Sequence, residues 1–334
     1  MKSIIMSTIF CIIANTFVFQ QSSLASDSDS WKAKLKSEQL RVSLLLQSVG
    51  VFSFDNDNFN GGRRFELGAT RLDLRGILES NFTYRLQVDF RRSPNILDAQ
   101  IGYKASDQFH LVAGSFKPFL SADLDPSPAD TDFIDRARLV GAMLNSREIG
   151  LTVLGKTGQI NYRIGMYNGY GLQTANDGRF LYTARLGYSP NFGNQSVELG
   201  LNGAINMSEN ERVGNTGLSS TGDRILYGGF IKYNSEGLFG TVEFLQTKFE
   251  DRGRDETITG FYTTIGYKVS PRDEVLVRWD HLSYDIRDSS SELFILGWNH
   301  QATDLISFQL NFLGLFVDGV DEQLGISGNF QFAF

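Results

Sequence analysis

Residues 82–90 read Phe82-Thr83-Tyr84-Arg85-Leu86-Gln87-Val88-Asp89-Phe90. Every second residue is aromatic or aliphatic, and every residue between them is polar or charged. In an extended chain successive side chains leave opposite faces, so this segment predicts a strand with one greasy side and one wet, charged side. Arg85 and Asp89 share the wet side.

The same period of two returns along the rest of the chain. Ile160, Tyr162, Ile164 and Met166 oppose Asn161 and Arg163, while Tyr182, Ala184, Leu186 and Tyr188 oppose Thr183 and Arg185. Near the end, Ile306, Phe308, Leu310 and Phe312 oppose Ser307, Gln309 and Asn311. Leu324, Ile326, Phe330, Phe332 and Phe334 then oppose Ser327, Asn329, Gln331 and Ala333. Strands are predicted near 39–54, 62–78, 82–90, 95–104, 109–117, 146–156, 160–167, 181–188, 195–207, 223–234, 238–249, 257–269, 273–284, 291–299, 305–316 and 322–334.

The connections decide what these strands build. Short links such as Glu79-Ser80-Asn81, Thr157-Gly158-Gln159, Ser235-Glu236-Gly237 and Ser270-Pro271-Arg272 alternate with longer ones. The longer ones are Asp55 to Gly61, Pro118 to Asn145, Asn168 to Phe180 and Ser208 to Gly222. Tight turns at one end and longer loops at the other fit an all-β, transmembrane antiparallel barrel of about sixteen strands. Closure satisfies every backbone donor and acceptor in lipid, which an open sheet edge does not. Tyr103, Tyr188, Tyr233, Tyr267, Trp279 and Trp298 fall where strands would meet the membrane interfaces.

The N-terminus has a basic start at Lys2, an apolar centre from Ile4 to Phe19, and small residues Ser23-Leu24-Ala25 before an acidic stretch. That order predicts a signal peptide over residues 1–25, a short periplasmic segment over 26–38 and a barrel over 39–334. Removing 25 residues from 334 leaves 309 and deletes Lys2, taking the net charge from −7 to −8. Such a balance argues against a nucleic-acid partner. Cys11, the only cysteine, lies within the predicted leader, so the mature chain has no thiol chemistry and no disulfide.

Enzyme chemistry has little to stand on. His110, His281 and His300 show no metal-ligand spacing, no Gly-x-Ser-x-Gly turn occurs, and no glycine-rich phosphate loop precedes a helix. His281 and Ser283 share a strand two residues apart, as neighbours of any kind can. Asp55, Asn56 and Asp57 resemble a calcium-binding cluster, but a solvated acidic loop is the better account of them. No cofactor and no metal are expected.

Seven segments between residues 84 and 190 carry a family resemblance: YRLQVDF, DAQIGYK, LVAGSFKPF, DFIDRARL, REIGLTV, YRIGMYNG and RLGYSP. In this order they resemble the phosphate-selective porin O and P family, over about a third of the chain. The resemblance implies a trimeric, sixteen-stranded outer-membrane barrel whose long third loop folds into the lumen, with basic side chains guiding anions. Passive diffusion of small solutes or inorganic ions is the implied function, with no catalysis. The C-terminal Phe334 resembles the signal read by the barrel-assembly machinery. The expected pore-lining residues are Arg85, Lys117, Asp135, Arg136, Arg138, Arg163 and Arg185. Lys117, Arg136 and Arg138 from the loop would join Arg85, Arg163 and Arg185 from the wall in a basic strip. Opposing them, Asp123, Asp125, Asp130, Asp132 and Asp135 crowd the same loop, which leaves anion or cation preference open. A closed structural or adhesive barrel that binds an extracellular partner is the alternative.

Overall fold

A computed structural model of the protein describes residues 37–54, 59–79, 81–174, 177–286 and 288–334. The predicted leader, most of the segment after it and the Asp55–Asp57 cluster lie outside the described residues. Seventeen strands form one sheet. The first eight are β1 (Arg41–Ser53), β2 (Arg63–Leu78), β3 (Phe82–Asp89), β4 (Asn95–Lys104), β5 (His110–Phe116), β6 (Glu148–Thr157), β7 (Ile160–Tyr167) and β8 (Leu181–Tyr188). After the two-residue β9 (Asn191–Phe192) come β10 (Gln195–Arg212), β11 (Ser219–Asn234), β12 (Leu238–Asp251) and β13 (Arg254–Lys268). The last four are β14 (Asp273–Tyr284), β15 (Ser289–Gln301), β16 (Ile306–Val317) and β17 (Val320–Ala333).

Each strand pairs antiparallel with its sequence neighbour, and β1 pairs with β17 to close the ring. Phe334 seals that seam: its N–H donates to the Leu44 carbonyl at 2.9 Å and its carbonyl accepts from the Leu44 N–H at 3.2 Å. Since β9 only decorates a turn and β8 pairs directly with β10, the wall is a closed barrel of sixteen long strands.

Facing follows the alternation. Along β8 the side chains run strictly buried, exposed, buried, exposed, with Thr183 and Arg185 inward and Tyr182, Leu186 and Tyr188 outward. The outward face is an apolar band suited to lipid. On β14 it comprises Val275, Val277 and Trp279, bracketed by two polar pairs. Asp273 lies 2.8 Å from His300 at one border, and Glu292 lies 2.6 Å from His281 at the other. Eight residues separate Asp273 from His281, roughly 26 Å along a strand rising ~3.3 Å per residue, close to the height of the apolar band of such barrels. His281 is therefore tied to Glu292 on the outer surface; no hydrogen bond to Ser283 is present among the described residues. Leu201 is two-thirds exposed in the middle of β10. Leu201→Arg is expected to lower stability by ~2–4 kcal/mol, read from urea titration of the protein refolded into lipid vesicles.

Two expectations need correction. The segment Ser208 to Gly222 is not a long connection: β10 and β11 continue pairing to Arg212 and Ser219, leaving only residues 213–218. Its Ser, Thr, Asn and Gly content reads as loop, yet such side chains are accommodated in a two-stranded extension standing clear of lipid. The inward face is also not uniformly polar. Leu226, Leu245, Ile258, Leu276, Leu282, Ile295 and Leu313 point inward and are buried. They have a partner inside the barrel, and that partner positions the site.

Candidate functional site: the inner loop and the pore wall

The partner is the connection 117–147 between β5 and β6. Its short helix α1 (Arg138–Met143) buries Leu139, Val140, Ala142 and Met143 in one cluster with Leu226, Leu245, Ile258 and Leu282 of the wall. Phe133 fills a second cluster with Leu276, Ile295 and Leu313. Close approach at this seat requires glycine: a Cβ on Gly260 of β13 would stand 2.7 Å from the Leu139 Cβ. Gly260→Leu is expected to lift α1 from its seat while the barrel persists. Faster protease cleavage within 118–147 and a larger, noisier single-channel current would report it.

Polar groups tie down the rest of the loop. On β12 the Glu243 carboxylate accepts from the Ser121 hydroxyl at 2.9 Å and from the Ala122 N–H at 2.7 Å. On β14, Arg278 donates to Asp123 at 2.9 Å and stacks on the Phe133 and Tyr262 rings. Four amides on consecutive strands then hold four loop carbonyls. Asn299 donates to Asp132, Gln309 to Thr131, Gln331 to Ala129 and Gln47 to Pro128, all at 2.9–3.1 Å. Asp125, at the other end, accepts from Arg163 of β7 at 3.4 Å and from Arg185 of β8. The loop thus touches the wall at β1, β7, β8 and β10 through β17.

Apart from Arg147, which reaches Asp98 and Gln87 where the loop re-enters the wall, the inner surface left clear is that of β2 to β6, and two cavities meet there. One, of about 800 Å³, lies toward the loop end and includes Arg136, Asn145, Tyr170 and Asn215 in its lining. The other, of about 400 Å³, reaches Ser43, Arg75 and Phe334 at the turn end. Arg71, Lys117, Pro128 and Arg147 line both. These four mark the waist between the cavities.

The expected site residues separate into groups. Arg85 borders the smaller cavity and is held by Asp73 at 2.8 Å and Asp98 at 3.1 Å. Lys117 stands at the waist, but its ammonium donates to the carbonyls of Leu124, Asp125 and Pro126 at 2.7–2.8 Å. Burial and the Arg136 and Arg147 charges pull its pKa down to about 6, against which three carbonyl acceptors favour the ammonium. Arg136 donates one Nη to the Pro126 carbonyl at 2.6 Å, and its other Nη is buried without a partner. Burial also lowers its pKa. Arg163 and Arg185 share Asp125 and lie over the Phe119 and Phe230 rings, each within 4.4 Å.

Arg138 borders the loop-end cavity with Arg136, but its guanidinium is turned away from the waist. It is bound across the lumen to Asp280 at 3.2 Å and to Ser291 at 2.7 Å. Asp135 faces lumen water at the loop end; crowding by loop atoms and Glu66 raises its pKa. The sequence reading omitted Arg71, Arg147 and the amide row. Arg71 falls on the polar face of β2 by the alternation, and Arg147 begins the REIGLTV segment where the loop re-enters the wall. Arg71 binds Asp89 at 3.2 Å through Nε, and Arg147 binds Asp98 and Gln87.

The sequence profile of the family described as phosphate-selective porin O and P matches residues 47–334. The chain belongs to this porin family. No curated protein sequence matches the chain significantly. Among solved structures, the barrel is similar to an anion-selective porin from Comamonas acidovorans, with 16% identity, a TM-score of 0.68 and coverage of 89% of this chain and 99% of that one. Pseudomonas putida OprB gives a TM-score of 0.68 at 11% identity, covering 92% and 97%. The trimer form of OmpT from Vibrio cholerae gives 0.65 at 12% identity, covering 89% and 99%. At these identities the neighbours speak for the fold alone. The porin O and P assignment rests on the profile match, and it makes the chain a channel-forming barrel.

Proposed function

We propose that this porin is a passive outer-membrane channel for small anions, whose path runs between the inner loop and the wall of β2 to β6. One observation carries the reading: the two cavities on that side meet at Arg71, Lys117 and Arg147, with Arg136 beside them. Fixed positive charge at the narrowest part of an aqueous path favours anions over cations. Among the loop acids, Asp123 and Asp125 neutralise Arg278, Arg163 and Arg185, and Asp132 lies on the opposite side in a cavity with Glu198 and Glu274, while Asp130 and Asp135 border the turn-end and loop-end cavities to either side of the waist. The loop end faces outside the cell and the turn end, with Phe334, faces the periplasm.

Assembly as a homotrimer fits the uneven wall. β5 has seven residues, about 23 Å along its axis at ~3.3 Å per residue and less once tilted, short of the ~25 Å apolar band. A second copy against β3 to β5 would cover that shortfall, and a trimer form is recorded for Vibrio cholerae OmpT. Export through the 1–25 leader and recognition of the Phe334 strand by the assembly machinery complete the reading.

The test is the reversal potential of purified protein in planar bilayers across a potassium chloride gradient. Discrete open steps that reverse near the chloride potential are expected. Reversal near the potassium potential would move the path to the acidic side of the loop, and correctly folded barrels without current would leave a closed adhesive barrel.

A further inference from the structure

We infer that the channel, although it belongs to a family described as phosphate-selective, holds no phosphate-trapping filter and instead favours monovalent anions, halides and small monocarboxylates. The inference rests on the anion-channel reading and deepens it. Trapping a dianion stripped of water requires several free cationic donors converging on it, because the desolvation penalty of the second charge must be met by direct contacts. At this waist the donors are already engaged. All three Lys117 N–H groups are held by loop carbonyls. Arg85 is chelated by Asp73 and Asp98, and Arg147 is shared among Asp98, Gln87 and the Ser146 carbonyl. Spare N–H groups remain on Arg71, whose Nε alone binds Asp89, and on Arg136.

Asp73, Asp89 and Asp98 are each at least nine-tenths buried behind these guanidinium groups. They cancel most of the positive field and repel a second negative charge. A single negative charge meets the open Nη groups of Arg71 beside the Arg136 charge, is held by one or two charge-assisted bonds, and leaves. A dianion feels attraction and repulsion doubled alike, so in a largely cancelled field it gains little more, finds no further free donors, and pays a much larger desolvation cost.

Single-channel recording at constant ionic strength tests this, with chloride replaced stepwise by acetate or by inorganic phosphate at a pH where phosphate carries two charges. The wild type is expected to show currents that scale with anion mobility, with no saturating block by phosphate. Asp89→Asn frees Arg71 and Asp98→Asn frees Arg85 and Arg147; each is expected to turn phosphate into a blocker, tightening its apparent affinity at least about tenfold, the scale of one charge-assisted hydrogen bond. If burial makes Asp98→Asn fail to fold, Asp89→Asn decides alone. Saturating phosphate block of an anion-selective wild type overturns the inference and leaves the channel reading intact, as does absence of new block in a folded variant. A cation-selective wild type overturns both.

Discussion

Replacing Arg71 and Arg136 together by glutamine is expected to cut the anion-to-cation permeability ratio at least about tenfold. A unit charge ~5 Å from a permeating ion is worth ~0.8 kcal/mol in water-like surroundings and more where a narrow path excludes water. The effect acts with opposite sign on anion and cation, so two charges suffice for that factor. Arg71 stands at the waist on the wall and Arg136 beside it on the loop, so neither can stand in for the other. Lys268→Gln is the control, since Lys268 borders two cavities on the far side of the loop. Its permeability ratio should match the wild type within error. The difference should shrink in concentrated salt, where screening shortens the reach of each charge to ~3 Å at 1 M. Reversal potentials of the two variants, measured side by side at two salt concentrations, check all three statements.

The second large effect concerns the anchor of the loop. Asp123→Ala leaves the Arg278 guanidinium, 2% exposed, without its nearest carboxylate and also removes an acceptor from the Ala137 N–H. Removing one partner of a buried pair costs about 3–5 kcal/mol because the other charge stays buried uncompensated. The cost should fall on the loop more than on the barrel, whose ladder of main-chain hydrogen bonds is unaffected. A lower unfolding midpoint, rapid proteolysis within 118–147 and an enlarged conductance are the expected outcomes. Asp123→Leu combined with Arg278→Leu should recover much of the stability, since replacing both members of a buried pair by apolar groups is often nearly neutral. A double variant as unstable as the single would mean that shape, and not charge, sets the position of Asp123.

Legibility in the sequence differed sharply between wall and loop. In 182–188 a period of two, read as polar against apolar, assigns the side chains to the faces they take, because strand positions alternate between water and lipid. The same reasoning failed at Ser208 to Gly222, where the hairpin leaves the lipid and the alternation loses its cause. Inward leucines such as Leu245 and Leu282 went unremarked because a parity rule written for a water-filled lumen has no place for them. They are legible only once α1 is known to sit against them.

Within 117–147 no periodicity exists to follow, and so Arg136 and Arg138, two residues apart in one motif, could not be told apart. One reaches the waist and the other turns to Asp280. Gln47, Asn299, Gln309 and Gln331 looked like ordinary lumen residues; their role as a row appears only when the register brings β15, β16, β17 and β1 side by side. Arg85 and Lys117 border the turn-end cavity, while Arg163 and Arg185 meet at Asp125. Their partners among the aspartates, which decide how much of their charge a solute feels, depend on cross-strand register that composition does not encode.

The position of the conducting path is the claim on which the selectivity arguments rest, and site-directed thiol labelling tests it most directly. In a chain with its single cysteine, Cys11, replaced by serine, cysteine is introduced at Gln100, which borders the turn-end cavity beside β2 to β6, or at Thr241, which borders the cavity on the acidic side. A bulky, negatively charged thiol reagent is then added during bilayer recording. The Gln100→Cys current should fall to a small fraction of its starting value while Thr241→Cys continues to conduct. Block at Thr241→Cys with an unaffected Gln100→Cys would place the path on the other side of the loop and contradict the account.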